Sequence, residues 1–230
     1  MRFILVGLLA AASLAEAGTI TSTVVNSPGW TNTGGPSFTT AFSWSMSAAY
    51  TNVTIEAYLA ATPAPVSGLA FLSTQVGPQT TPGDVVGAPQ GFQVTSELPA
   101  FQWVTLFSGL TLGPGTYFVT LSSPQTSLLL AIGNSSTTTF TNAAGVTRLL
   151  DYFANNQNGS SVNTNFGPAS TFLNTVNAGP NGDFYSYRVN GDLAGDAAVP
   201  EPGSIAMVAF GLMAAVWAQR ASRLVLARIR

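Results

Sequence analysis

The side chains that could carry acid–base chemistry in this 230-residue chain are carboxylates, because lysine, histidine and cysteine are absent. Nucleophiles paired with histidine, serine–lysine dyads, P-loops and ordinary zinc sites are therefore excluded. A glycoside hydrolase would need two carboxyl groups about 5–9.5 Å apart. Glu56 and Glu97 are the only glutamates between Gly18 and Val199. Glu56 lies on the solvent face of its predicted strand, and Glu97 lies beside Pro99. We therefore expect both carboxylates to be solvated and the protein not to be an enzyme. A hydrolase that uses only carboxylates is kept as an alternative.

Two Asn-Gly-Asp sequences offer the hard oxygen ligands that calcium prefers. They contain Asn181 with Asp183 and Asn190 with Asp192, and Asp196 follows closely. Their spacing does not match an EF-hand loop, and Asn-Gly-Asp is also ordinary turn sequence. We therefore predict turns here, with no metal and no cofactor, and keep calcium as the alternative.

Carbohydrate binding would use exposed aromatic rings that stack on sugar faces. Trp44 and Trp103 lie in strand patterns, so we expect them in the core of the domain. Trp30 lies in a segment rich in proline and glycine, SPGWTNTGGP, which predicts a loop. Trp30 is therefore the candidate ligand contact.

The elements that must hold these residues are predicted to be β-strands. Residues 53–59 alternate strictly, with Val53 and Ile55 on one face and Thr54 and Glu56 on the other. Many short strands without βαβ alternation indicate an all-β sandwich or jelly roll over residues 18–193. The predicted strands are residues 19–25, 38–44, 53–59, 69–76, 103–107, 110–112, 116–121, 128–132, 137–141, 146–153, 171–176 and 184–189. Residues 80–89 and 155–165 are predicted loops.

Charge is scarce and unevenly placed. Charged residues make up 7% of the chain, against roughly 25% in an ordinary domain. Between Gly18 and Val199 two arginines face seven acids, a formal charge of −5. Nucleic acid requires a basic footprint, so it is excluded as a partner. The absence of cysteine also excludes a disulfide framework.

The N-terminus has the pattern of a secretory signal peptide. Met1 and Arg2 precede an apolar run over residues 3–12. Ala15 and Ala17 provide the small side chains at the −3 and −1 positions of a cleavage site before Gly18. Residues 1–17 are therefore predicted to direct export and to be removed.

The C-terminus combines a proline motif, an apolar run and a basic tail. The motif is Val199, Pro200, Glu201 and Pro202, and the tail carries Arg220, Arg223, Arg228 and Arg230. The apolar run over residues 205–218 would be about 21 Å long as a helix, so we predict a transmembrane helix over about residues 204–219. Basic residues after it place the tail in the cytoplasm. Residues 194–199 read as a linker.

This combination resembles a PEP-CTERM sorting signal over residues 200–230, although its tail is longer than usual and apolar in the middle. The resemblance implies recognition and processing by an exosortase, a membrane enzyme of bacteria that make extracellular polysaccharide. The protein would be anchored in the inner membrane before processing and then reach the surface or the medium. The stretches LFSGLTLGPGTYFVTL and YSYRVNGDL also resemble the β-sandwich cargo domains of such proteins.

Three functions are consistent with the sequence. The first is a non-enzymatic surface or matrix protein sorted by an exosortase in a system linked to exopolysaccharide. The second is a carbohydrate-binding module at the same location, with polysaccharide as partner. The third is the carboxylate-only glycoside hydrolase.

Overall fold

The computed structural model describes residues 17–32, 38–76, 80–123, 127–155, 174–176 and 184–195. The first eight strands are β1 (Gly18–Val25), β2 (Gly29–Asn32), β3 (Phe38–Met46), β4 (Tyr50–Ala61), β5 (Val66–Ser73), β6 (Gln90–Val94), β7 (Gln102–Leu112) and β8 (Gly115–Ser122). The others are β9 (Leu128–Gly133), β10 (Thr138–Asn142), β11 (Val146–Arg148), β12 (Asp151–Asn155), β13 (Asn174–Val176), β14 (Phe184–Tyr185) and β15 (Tyr187–Leu193). A 3₁₀ turn at Pro82–Asp84 lies between β5 and β6.

The strands form two antiparallel sheets, which confirms the all-β prediction. The larger sheet has the order β10-β1-β15-β4-β9-β14, with β7 added on β4 and β2 added on β9. The smaller sheet has the order β13-β12-β3-β8-β5-β6, with β11 added on β3. Among the described residues there is no α-helix, and none of the helical structure found there is long and apolar enough to cross a membrane. The predicted transmembrane helix lies outside those residues.

The inner faces of the two sheets meet in one hydrophobic core. Alternation in β4 buries Val53, Ile55, Ala57 and Leu59 completely, as the sequence predicts. A stack of aromatic rings joins the sheets: Phe42 of β3 lies 4.1 Å from Tyr187 of β15, with nearly parallel planes. Burying a large apolar side chain contributes about 1.5–3 kcal/mol, so these contacts are central to the stability of the sandwich.

Strand boundaries depart from the prediction where the ladders are irregular. Residues 103–107 and 110–112 form one strand, β7, because Gly109 adopts a φ of 68° and the register against β4 shifts there. The predicted strand 184–189 divides at Ser186, where β14 pairs with β9 and β15 pairs with β4.

The predicted strand 146–153 also divides, into β11 and β12, which both pair with β3. Arg148 lies opposite Trp44 and Tyr152 opposite Ala41, so three residues of the bulged chain face two residues of β3. The break is held by hydrogen bonds, since Leu149 N–H donates to the Ser43 carbonyl and the Ser43 hydroxyl donates to the Leu150 carbonyl. This extra residue is a β-bulge.

Two strands were not predicted. β2 falls in the segment predicted as a loop, but it pairs with β9 over four residues. β6 pairs with β5 and completes the edge of the smaller sheet. Part of the predicted loop 80–89 forms the 3₁₀ turn, whereas most of the predicted loop 155–165 lies outside the described residues.

Candidate functional site

A group of large side chains covers part of the outer face of the larger sheet. The inner residues of β4 alternate with Glu56 and Tyr58, which therefore face outward. Trp103 of β7 lies directly opposite Tyr58, and Arg188 of β15 lies directly opposite Glu56. Phe101, just before β7, completes the group. We name these five residues the outer-face cluster.

The aromatic part of the outer-face cluster is a row of three half-exposed rings. The centre of the Tyr58 ring lies 4.9 Å from that of Trp103 and 5.4 Å from that of Phe101, and both pairs are tilted by 31°. The Arg188 guanidinium carbon lies 4.5 Å from the centre of the Trp103 ring. Such distances are typical of aromatic pairs and of cation–π contacts. The rings therefore form a continuous apolar surface that ends on a guanidinium group.

The polar part of the cluster is a charge-compensated pair. Arg188 Nε and Nη2 donate to the two carboxylate oxygens of Glu56. The hydroxyl of Thr105 donates to Glu56 Oε1 over 3.5 Å. The Arg188 side chain is 38% exposed and the Glu56 side chain 13% exposed. Because a guanidinium has five N–H donors, two bonds to Glu56 leave donors for a ligand at the surface.

The tryptophans only partly match their predicted places. Trp44 is fully buried, as expected. Trp103 is half-exposed on the outer face, so its predicted place in the core is wrong. Trp30 is 56% exposed, as a ligand contact requires, but it belongs to β2 and not to a loop. Pairing of β2 with β9 overrides the local turn signals.

The two glutamates do not come together. Glu97 forms a bridge with Ala61 at the end of β4 and is exposed. Ala61 lies five residues from Glu56 along the strand, which at about 3.4 Å per residue corresponds to about 17 Å. This separation of the backbones is far greater than the carboxyl spacing of a glycoside hydrolase. The structure therefore gives the hydrolase alternative no support at these residues.

The sequence Asn190-Gly191-Asp192 lies within β15 and not in a turn, which corrects that prediction. The register against β4 shifts there, and Asp192 Oδ2 accepts a hydrogen bond from the Asn52 side chain at 2.7 Å. A Cβ on Gly191 would come within 2.9–3.1 Å of Ile20, Val53 and Thr51. Close packing therefore explains this glycine.

Among the residues that the structure describes, no three acidic side chains gather. Asp84 caps the 3₁₀ turn, and hydrogen bonds from the backbone and hydroxyl of Thr81 lower its pKa. Asn181, Asp183 and Asp196 lie outside the described ranges.

A second arginine–carboxylate pair lies between the sheets. Asp151 is fully buried and accepts hydrogen bonds from Arg148 Nη2 and, at 2.9 Å, from the Tyr185 N–H. Burial raises the pKa of Asp151 to about 7, against the opposing effects of the Arg148 charge and these hydrogen bonds. This pair links the smaller sheet to the larger one.

Aromatic rings enclose the same arginine. The Arg148 guanidinium lies 4.7 Å from the Phe184 ring centre and 5.4 Å from that of Phe140. Its Nε donates to the Thr23 hydroxyl of β1. Only 10% of the Arg148 side chain is exposed, so we assign it a structural role.

Comparison with known proteins concerns the C-terminus, which the structure does not describe. A family model described as the PEP-CTERM protein-sorting motif matches residues 198–221. The chain carries a PEP-CTERM sorting motif. The PEP-CTERM motif indicates an exported protein that is targeted to exosortase, with its C-terminus anchored in the membrane before processing. No curated protein and no solved structure matches the chain.

The matched range of the PEP-CTERM motif includes four predicted motif residues and one predicted basic residue, namely Val199, Pro200, Glu201, Pro202 and Arg220. The other predicted basic residues, Arg223, Arg228 and Arg230, follow the match. At the other end of the chain Ala15 lies outside the described residues, whereas Gly18 is the first residue of β1. The cleavage sites thus remain predictions.

Proposed function

We propose that the protein is a non-enzymatic component of the bacterial cell surface or extracellular matrix, in a system linked to exopolysaccharide. A signal peptide over residues 1–17 starts its export, and an exosortase cleaves the chain at or near residues 200–202. The observation that carries the proposal is the PEP-CTERM motif at residues 198–221. The β-sandwich is the cargo that remains after both cleavages.

The composition of the C-terminus supports the membrane stage of this proposal. Residues 205–218 are apolar throughout, and Trp217 precedes Arg220 at the position of an interfacial aromatic residue. Arg220 and Arg223 can extend to the interface, which lengthens the span beyond the apolar run. The orientation agrees with a signal peptide that sends the sandwich across the same membrane.

The contacts of the acids support a non-enzymatic sandwich. Glu56 is paired with Arg188, Asp84 caps a turn, Asp151 is buried with Arg148 and Asp192 accepts from Asn52. Each of these carboxylates thus has a partner within the sandwich. Glu97 is exposed and lies far along β4 from Glu56.

Replacement of Pro200, Glu201 and Pro202 by alanine in the native host tests the proposal. We expect a full-length species retained in the membrane fraction, whereas the unaltered protein gives an intact mass that lacks both the signal peptide and the tail. Asp196→Ala in the linker is the matched control and should be processed normally. Unchanged processing and release of the triple variant would contradict the proposal, because cleavage would then not depend on Pro200, Glu201 and Pro202.

The second candidate function is carbohydrate binding at the cell surface. The observation that favours it is the set of exposed or half-exposed aromatic rings: Trp30 on β2 and the rings of the outer-face cluster. A glycan array probed with the protein and with Trp30→Ala tests the contribution of Trp30. Equal binding by the two would exclude Trp30 from the site.

A further inference from the structure

We propose that the outer-face cluster is the binding site for a neutral polysaccharide, which lies across the outer face of the larger sheet. This inference rests on the second candidate function and names its site and its class of ligand. The residues that carry it are Tyr58, Phe101 and Trp103, with Glu56 and Arg188 beside them.

The apolar half of the site is the row of rings. Directly opposed residues of antiparallel strands share a face, so Tyr58 and Trp103 stand side by side on the outside of the sheet. The centres of the three rings follow one another at 5.4 Å and 4.9 Å, and Thr105 lies two residues beyond Trp103 on β7. From Phe101 to Thr105 the whole site therefore extends for four residues, about 14 Å at the usual rise of a strand. A pyranose ring presents a flat face of C–H groups, which suits an aromatic surface. A site of this length matches a chain of sugars better than a single sugar.

The polar half is the pair at the end of that row. Sugar hydroxyls both donate and accept hydrogen bonds, and the site offers guanidinium donors, carboxylate acceptors and the Thr105 hydroxyl. Because Arg188 and Glu56 compensate each other, the site has no net charge to attract an anionic or a cationic polymer. The partner that fits both halves is therefore rich in hydroxyl groups, partly apolar and uncharged.

Trp30 is a separate exposed ring of the larger sheet. It lies opposite Ala131 of β9, and Leu130, the neighbour of Ala131, belongs to the core. Alternation therefore directs Trp30 to the same face as the cluster. Ala131, Leu129 and Ala60, which lie between Trp30 and the cluster, are buried. The proposed site is therefore the outer-face cluster alone.

Affinity electrophoresis of the full-length protein tests the site. The gels would contain xylan, mannan, hydroxyethyl cellulose, alginate or the exopolysaccharide isolated from the host culture. We expect retardation by at least one neutral polymer. Trp103→Ala and Tyr58→Ala should each weaken it by about tenfold, the effect of losing one ring contact of ordinary strength. Trp103→Phe should retain most of the binding, because it keeps a ring.

A control and a charge change complete the test. Leu150→Ala removes an exposed apolar side chain between β11 and β12 of the smaller sheet and should bind as the unaltered protein does. Glu56→Gln leaves Arg188 uncompensated and should create retardation by alginate. Melting curves of all variants check that they are folded. If a ring variant is unstable, Trp103→Phe and Glu56→Gln still test the site, because both preserve its packing.

Three results would overturn the inference: no retardation by any neutral polymer, equal retardation of the folded Trp103→Ala variant, or self-association that Trp103→Ala abolishes. The last would assign the face to a second copy of the chain. Normal processing and release with any of these results would leave the export proposal intact.

Discussion

The two arginines of the sandwich make the same contacts in opposite environments. Arg148 and Arg188 each pair with a carboxylate and each lie against an aromatic ring. Arg148 lies between the sheets beside the fully buried Asp151, whereas Arg188 lies on the outer face and remains 38% exposed. The same chemistry therefore serves two roles, and burial decides which.

The difference follows from the cost of removing charge from water. A buried pair remains stable only while both partners and their hydrogen bonds are present, because an unpaired buried charge costs several kcal/mol. An exposed pair contributes about 0–1 kcal/mol and is screened by salt. Arg148 with Asp151 therefore connects the sheets, while Arg188 with Glu56 remains available to a ligand.

The largest effect expected is that of Arg148→Met. It leaves Asp151 buried without its partner and should lower the free energy of unfolding by about 3–5 kcal/mol. Arg188→Met, the matched change on the outer face, should lower it by about 1 kcal/mol or less. Urea unfolding at pH 8 measures both. Similar values for the two variants would contradict the comparison.

Two glycine substitutions compare the packed interior with the open surface of the sheets. Gly191→Ala would push a methyl group against Ile20 and Val53 in the interior, at a cost of about 1–3 kcal/mol. Gly91→Ala in β6 is the control, since its new methyl group meets nothing within 4 Å. Calcium or EDTA should shift the melting temperature of neither variant if Gly191 serves packing alone.

The pH dependence of stability tests Asp151. Its pKa is about 7 in the folded protein and about 3.9 in an unfolded chain. The folded state therefore binds more protons between these values, and this group lowers stability as pH rises from about 4 to 7, by up to about 1.4 kcal/mol per pH unit. Asp151→Asn should flatten the profile in that window. Parallel profiles would show that other groups cause the dependence.

The smallest effect concerns salt. Glu56→Gln should lower the free energy of unfolding by less than about 1 kcal/mol at low ionic strength, and about 1 M salt should abolish the difference. The effect of Arg148→Met should persist in salt, because its site excludes solvent. A large, salt-resistant effect of Glu56→Gln would mean that the outer pair is also structural.

The sequence predicts the alternating strands well, because the period of two in β4 follows directly from which side chains are buried. It does not predict the Arg148–Asp151 pair. In the unbroken strand expected over residues 146–153, side chains three apart point to opposite faces. The bulge opposite β3 adds one residue, so the side chains of Arg148 and Asp151 point to the same face and meet. The bulge arises from pairing with β3 and therefore cannot be seen in residues 146–153 alone. The sequence signal that could have indicated the pair is the presence of two charged residues within an apolar run.

The outer-face cluster was missed for a related reason. Most residues at the start of β7 are apolar, namely Trp103, Val104, Leu106 and Phe107. The sequence therefore does not show which alternate set of β7 side chains faces the core. The register against β4 decides it and directs Trp103 outward. Conversely, the PEP-CTERM motif is apparent from sequence alone, because a sorting signal is read as a linear peptide.

The position of the two arginines has a consequence for survival outside the cell. A protease that cuts only after lysine or arginine finds two target bonds between Gly18 and Val199, after Arg148 and after Arg188. Both residues belong to strands of the sandwich, and the Leu149 N–H just beyond the first bond is already hydrogen-bonded to Ser43. Such a protease can act only when the sandwich opens, so its cutting rate reports the unfolded population. A domain without lysine is in this way protected by its own composition.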